Sequence, residues 1–403
     1  MAIAVKLQAG IVGKPNVGKS TFFSAATLVD VKIAPYPFTT IDANRGIGYV
    51  RIECVCRELG VEDNPRNSMC IRGWRFVPVE LIDVAGLVPG AWQGRGLGNR
   101  FLDELRRASV LIHVVDAAGA TDFEGRPVKP GTHDPLEDVR FLEEEIVMWT
   151  YQILAKDWEK TARTLEIKRQ SLAAELHKRL SGLGFTLEQI DEALSRLGLY
   201  SKRPTSWSDS DLLELVKTLR EGKPIVIAAN KCDLPQAEDN IEKLAKELKD
   251  KYIVVPTSAE AELALRRAAR KGLIEYLPGD SDFEIVGELT GKQRRVLDYI
   301  RERVLERWGS TGVQQAINAA FLEALGLIAV FPVENEHKFT DHSGRVLPDV
   351  FLVPKGTTAR DLAYMIHTEL GERFLCAIDA KSKRRLAASA QLEHRMVVKI
   401  VTR

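Results

Sequence analysis

The chain is poor in cysteine, with five in 403 residues, and the number is odd. That excludes the disulfide framework of a small secreted fold. No uninterrupted apolar run reaches the roughly 18 residues that a membrane helix needs. The first residues, MAIAVKLQAGIVGKP, lack the basic, apolar and small-residue segments of a signal peptide. A cytoplasmic protein is therefore expected, with no membrane partner. Net charge is only +1, so bulk charge does not mark the molecule as a polyanion binder. No internal repeat or low-complexity segment is found, and no feature points to DNA. The sequence does not fix an oligomeric state, and a monomer is the favoured reading.

What is present suits an ordinary globular chain, 45% apolar and 28% charged. The length suggests about two or three domains. Residues 5–13 read as a strand running into a glycine loop, followed by a helix from about Lys19 to Val29. Short β-branched runs at 76–84, 109–116, 224–229 and 252–256 read as further strands, separated by helical stretches. That alternation predicts an α/β fold with a mostly parallel, doubly wound sheet. From about 140 to 220 the pattern is helical throughout and reads as a helical hairpin inserted into the α/β domain. After Pro256 the chain is helical again to about 326. It then turns into a small β-rich domain with strands at 328–333 and 350–353, a helix at 358–370 capped by Thr358, and two further strands. The expected division is 1–139 and 221–326 for the α/β domain, 140–220 for the insertion and 327–403 for the C-terminal domain.

Four short motifs carry chemistry. Gly13–Ser20 fits G-x-x-x-x-G-K-[ST] between a strand and a helix. Glycines let backbone N–H groups turn inward around phosphate oxygens, and the helix N-terminus favours the anion. The loop residues Asn16, Val17, Gly18, Lys19, Ser20 and Thr21 are the expected phosphate contacts. Lys19 would reach the β- and γ-phosphates, and the Ser20 hydroxyl would ligate Mg²⁺. Asp83-Val84-Ala85-Gly86 ends a later strand, so that Asp83 would hold Mg²⁺ through water and the Gly86 N–H would sense the γ-phosphate. Asn230-Lys231-Cys232-Asp233 follows another strand. Its Asp233 carboxylate can accept from the N1–H and N2–H₂ of guanine, a donor pair that adenine lacks. The Lys231 stem would lie over the base, and Asn230 would tie this loop to the phosphate loop. Thr257-Ser258-Ala259 supplies a backbone N–H for the guanine O6. Four motifs in this order, each after a strand, predict a P-loop GTPase.

With these residues on the page, the chain resembles the Obg family of GTPases. The phosphate loop G-K-P-N-V-G-K-S-T and Tyr36-Pro37-Phe38-Thr39-Thr40-Ile41, at the first-switch position, carry the likeness. The glycine-rich stretch Asp83–Asn99 is similar to the YchF branch, and the C-terminal domain resembles a TGS domain of ubiquitin-like β-grasp fold. The resemblance implies that Thr40, beside Thr39, meets Mg²⁺ and the γ-phosphate. It also implies that Asn16 either holds a potassium ion over the phosphates or braces its loop. Some YchF proteins lack N-K-x-D and favour ATP; here it is intact, so GTP is expected. Leu87 stands where Ras-like GTPases have glutamine. A leucine cannot orient a water, so slow turnover is expected and no general base is assigned. The resemblance names the ribosome or its RNA as partner and a nucleotide-dependent switch as function. The alternatives are an RNA-binding adaptor with a structural nucleotide and an ATPase of relaxed base choice.

Weaker signals remain. Cys54, Cys56 and Cys70 begin a zinc set, but no fourth Cys or His lies nearby, and they read as free cysteines in a hairpin. His113 reads as a core histidine, and His337 and His342 as surface residues. The run 381–385 (KSKRR) and the group Arg266, Arg267, Arg270 and Lys271 read as solvated basic patches open to RNA phosphates.

Overall fold

A computed structural model describes residues 7–28, 44–84, 86, 90, 92, 104, 107–180 and 183–403. The first-switch hexad 36–41, with Thr39 and Thr40, and Leu87 lie outside the described residues. The centre is one seven-stranded sheet. Its strands are β1 (Gln8–Val12), β2 (Arg45–Glu53), β3 (Met69–Ile71), β4 (Trp74–Asp83), β5 (Val110–Asp116), β6 (Ile225–Asn230) and β7 (Ile253–Pro256). The order is β2-β4-β1-β5-β6-β7, with β3 added to β4. The strands β4, β1, β5, β6 and β7 run parallel, while β2 and β3 pair antiparallel with β4. Every residue of β5 and β6 is buried, which is why both read as continuous apolar runs rather than alternating ones.

Both faces are covered. One carries the helices Pro135–Ala155, Ala237–Leu248 and Ala259–Arg270. The other carries α1 (Lys19–Thr27) and the stretch Val313–Ala324, whose Ile317 and Phe321 belong to one apolar core with Ile11 and Ile112. The helix α1 ends two residues short of Val29.

The expected hairpin is instead a bundle of five helices. They are Pro135–Ala155, Trp158–Lys168, Leu172–Leu180, Leu187–Arg196 and Asp209–Glu221. Asp157 and Arg169 interrupt it in left-handed conformations, φ 56° and 47°. Non-glycine residues rarely take that conformation, so composition does not flag the breaks. Stacked Trp158 and Trp207 rings, with centroids 5.0 Å apart, join the two ends of the bundle. The first helix starts on Asp134, whose side chain accepts from Leu136 N at 3.1 Å, and has proline in its first turn. It packs Leu142 and Ile146 into the sheet core and Leu154 into the bundle core, so one rigid helix serves both.

The C-terminal domain is a five-stranded sheet. Its strands follow the short ladder of β8 (Ile274–Glu275) and β9 (Glu284–Ile285). They are β10 (Leu327–Val333), β11 (Phe351–Pro354), β12 (Phe374–Asp379), β13 (Arg385–Leu386) and β14 (Met396–Thr402), in the order β11-β10-β14-β12-β13. The central pair β10 and β14 is parallel. Thr358 caps the helix Ala359–Ile366 through a reciprocal bond set with Asp361. His367 then breaks the expected single helix in extended backbone, and a second helix, Thr368–Glu372, follows.

Among the described residues no helix is long and apolar enough to cross a membrane. His113 is buried within β5, as expected, and burial pushes its imidazole down to about 4. The unfolded chain binds that proton at about 6.5, the ordinary histidine value. Between those values the unfolded state carries more protons, so acid favours unfolding and stability falls as pH drops from about 6.5 to 4. The loss is at most about 3 kcal/mol. His113→Leu should flatten this part of the profile in urea titrations, and an unchanged slope would contradict the assignment.

Candidate nucleotide site

The site lies along the carboxyl ends of the parallel strands, where open α/β sheets bind ligands. After β1, Gly13 takes φ +148°, and a Cβ there would overlap the Val114 carbonyl oxygen. Gly18 takes φ +97°, and its Cβ would overlap Asn230 Nδ2. Both positions therefore require glycine. Between them Val17 is fully buried and Asn16 is left-handed at φ 63°. The Asn16 amide donates to the Gly125 carbonyl at 2.9 Å, bracing the neighbouring loop.

Lys19 begins α1 under this loop. Its Nζ donates to the Lys14 carbonyl at 2.7 Å. Burial lowers its pKa to about 8, with Asp83 acting in the opposite direction. The Ser20 hydroxyl donates to Asp83 Oδ2 at 3.3 Å, so two of the three expected magnesium residues meet. Burial raises the Asp83 carboxyl pKa, opposed by Lys19 and Ser20. A Cβ on Gly86 would stand 3.4 Å from Lys19 Nζ, which places this glycine beside the phosphate lysine. Thr21 is half-buried on the first turn of α1.

At the end of β6, Asn230 is buried and bridges the two halves of the site. Its Nδ2 donates to Val17 O at 2.7 Å, and its Oδ1 accepts from Ala259 N at 3.0 Å. Lys231 is left-handed at φ 65°, and its ammonium donates to Asp116 Oδ2 at 2.7 Å. With the ammonium tethered, the methylene stem is left free as a flat apolar surface. Asp233 Oδ1 accepts from Ser258 Oγ at 2.8 Å, which orients the carboxylate. The phosphate-loop, Asp83–Gly86, Asn230–Asp233 and Ser258–Ala259 residues thus converge on one edge of the sheet.

Several contributors were not read from the sequence. Asp116, fully buried, holds Lys231 and accepts from Thr121 Oγ1 at 3.0 Å. It ends a strand at the same sheet edge as Asp83 and Asn230, which is a usable signal. Lys14, inside the phosphate loop, forms a buried ion pair with Asp138 at 2.8 Å. The base-side loop is backed by the late helical region. Tyr299 OH donates to Asp233 O at 3.2 Å, Trp308 Nε1 donates to Cys232 O at 3.1 Å, and Thr311 O accepts from Ser258 N at 2.8 Å.

The basic patches are partly absorbed by the fold. Arg266 is buried and donates to Ala25 O of α1, so it leaves the surface group. Lys381 pairs with Glu58 at 2.7 Å, and Lys383 donates to Glu336 O. His337 and His342 are exposed, as expected.

Comparison with known proteins follows the same lines. A family model described as 50S ribosome-binding GTPase matches residues 8–147. One described as Obg-like GTPase YGR210-like, G4 motif-containing domain, matches 228–335, and a TGS domain model matches 342–402. The chain is 54% identical over 396 residues to an uncharacterized GTP-binding protein of Methanocaldococcus jannaschii, covering 98% of each. It is 27% identical over 384 residues to the ribosome-binding ATPase YchF of Bacillus subtilis, covering 92% of this chain and 87% of that one. The crystal structure of a GTP binding protein from Pyrococcus horikoshii OT3 superposes with a TM-score of 0.80 at 43% identity, covering 98% of this chain and 99% of that one.

Proposed function

The chain belongs to the Obg-like P-loop GTPases, in their YchF-related branch, and on that premise we propose that it is a slow GTPase switch that acts on the ribosome. The observation that carries the reading is the double bond set of Asn230, which ties Val17 of the phosphate loop to Ala259 of the base loop. A triphosphate held at one end is thereby held in register with a base at the other.

In this reading Lys19 binds the β- and γ-phosphates, and the backbone around Asn16, Val17, Gly18 and Thr21 cradles them. Ser20, Thr40 and Asp83 would hold Mg²⁺, which would neutralise the charge that develops on the phosphates. The Gly86 N–H senses the γ-phosphate. Asp233 reads guanine, the Lys231 stem lies over it, and Ser258 and Ala259 close the loop on O6. The Asn16 amide nitrogen is engaged by Gly125, which leaves its Oδ1 as the atom for potassium. With Leu87 at the usual glutamine position, orienting the water would fall to switch backbone groups, to a partner's residue or to a potassium ion held at Asn16. In the switch reading Thr40 and the Gly86 N–H would meet the γ-phosphate in the GTP state and lose that contact on hydrolysis.

Support for the ribosome comes from relatives such as the ribosome-binding ATPase YchF of Bacillus subtilis. The test is co-sedimentation with ribosomes at low salt. Retention with a non-hydrolysable GTP analogue, and release with GDP, is the expected result. Retention independent of nucleotide favours an RNA-binding adaptor, and no retention removes the ribosome as target. Parallel hydrolysis assays in potassium and sodium should show faster turnover in potassium; equal rates would remove the ion at Asn16.

A further inference from the structure

The strand β2 ends at Glu53, and the chain turns at Cys54 into α2 (Val55–Leu59). A strap over residues 60–68 then leads back to β3. This path brings four side chains together. The sulfurs of Cys54, Cys56 and Cys70 and a carboxylate oxygen of Asp63 all lie within 4.8 Å of one another. Cys54 and Cys56 are buried, Cys70 is half-buried and the Asp63 side chain is 8% exposed. The fourth ligand missing from a Cys-and-His reading is a carboxylate seven residues beyond Cys56.

We propose that Cys54, Cys56, Asp63 and Cys70 hold one zinc ion that fixes the strap and, through it, the seam with the C-terminal domain. The spacing suits the metal. With Zn–S bonds of about 2.3 Å, two ligands at the tetrahedral angle stand about 3.8 Å apart. Cys56 Sγ and Cys70 Sγ are 3.8 Å apart, and Cys54 Sγ is 3.1 Å from Asp63 Oδ2. Three thiolates select a soft or borderline metal over magnesium or calcium, and a four-ligand set with one carboxylate suits zinc.

The charge surrounding the cluster points the same way. Three thiolates and a carboxylate around Zn²⁺ carry two excess negative charges, and a buried site needs a nearby cation. Arg75 is fully buried with Nη1 3.5 Å from Asp63 Oδ2. Its Nε and Nη1 find no hydrogen-bond acceptor among the described residues, so this charge has capacity to spare. The same guanidinium lies 5.3 Å over the Phe331 ring and donates to Leu347 O, both in the C-terminal domain.

The strap itself is the seam. Asn64 N donates to Val346 O at 2.8 Å, and Arg66 N donates to Pro348 O at 2.6 Å. Asn67 exchanges two bonds with the Val350 backbone at 2.9 and 3.0 Å, and Arg66 pairs with Asp349. Fixing Asp63 at one end of this run therefore fixes the docking of one domain on the other.

The experiment is metal analysis of the full chain made in zinc-supplemented medium and desalted. About one zinc per chain is expected, as for a closed structural site. Cys56→Ser and Cys70→Ser should lose it while still binding nucleotide. Cobalt substitution should give thiolate charge-transfer bands and the d–d bands of a tetrahedral site, altered in Asp63→Ala. Chelation should speed amide exchange at Asn64 and Arg66 by roughly tenfold or more, as the strap opens locally. The proposal is overturned if the wild-type chain retains no zinc and either all five cysteines titrate as free thiols or Cys56 and Cys70 form a disulfide. Zinc retained unchanged in Cys56→Ser overturns it as well, and an unaltered cobalt spectrum in Asp63→Ala overturns this ligand set. Should the serine variants fail to fold, zinc content and the cobalt spectrum of the wild-type chain decide the question.

Discussion

Replacing Asp233 with alanine should weaken GTP binding by roughly 100-fold or more and leave ATP binding within about twofold. The carboxylate is positioned for two charge-assisted hydrogen bonds to guanine N1–H and N2–H₂, each worth about 1.5–3 kcal/mol. Together they amount to about 3–6 kcal/mol, more than the roughly 2.8 kcal/mol that corresponds to 100-fold in affinity. Adenine offers no such donor pair, so it loses nothing. Ser258 Oγ bonds Oδ1 at 2.8 Å and sets the plane of the carboxylate before any base arrives. A preset acceptor left without donors is what rejects the wrong base. Asp233→Asn sharpens the test. Its amide puts a donor where guanine also has a donor, whereas xanthine carries a carbonyl at that ring carbon. The asparagine variant should therefore prefer xanthosine triphosphate over GTP. Competition titrations against a fluorescent nucleotide check all three. Equal, small losses for GTP and ATP in Asp233→Ala would support relaxed base choice instead.

How far the sequence carried depended on whether a contact was local. Strands β1, β4, β5, β6 and β7 were readable because their apolar runs are buried between helices. The four motifs were readable because each sits at a strand end, in order. The tie from Asn230 to the phosphate loop is of the same kind, since motif order alone pairs the two loops, and its Nδ2 donates to Val17 O at 2.7 Å. Other features depend on topology. Tyr299 and Trp308 stand 66 and 76 positions from their acceptors at Asp233 and Cys232, and no spacing in the chain announces that pairing. The helix breaks at Asp157 and Arg169 depend on left-handed backbone at residues that do not favour it. Arg266 shows the limit of reading charge as surface, since its guanidinium is consumed by the Ala25 carbonyl at the end of a neighbouring helix. Asp63 is not legible as a ligand for a chemical reason: cysteine and histidine are rare enough to mark a metal set, whereas carboxylates are too common to stand out.

Asp138→Ala is expected to destabilise the α/β core by about 3–5 kcal/mol, the effect of leaving a buried ion without its partner. Asp138 and Lys14 are 2% and 3% exposed. The ammonium lies 2.9 Å from Oδ1 and 2.8 Å from Oδ2 and also donates to Thr121 O at 3.0 Å. His133 Nε2 adds a contact to Oδ1 at 2.8 Å. Removing the carboxylate strips a charge partner from a site that water does not reach, and the surviving carbonyl contact does not neutralise the ammonium. The double change Lys14→Met with Asp138→Leu removes both charges at similar volume, and should recover most of the loss, because a buried pair is often replaceable by apolar packing. Urea midpoints of the three variants test this, and a double variant no more stable than Asp138→Ala would refute it. The pair also bears on binding. The Lys14 carbonyl receives Lys19 Nζ at 2.7 Å, so a displaced Lys14 disturbs the lysine that is to meet the phosphates. Asp138→Ala should then bind GTP more weakly than the double variant does. Saturating GTP should restore part of its stability, because a ligand that binds only the folded state shifts the folding equilibrium by mass action.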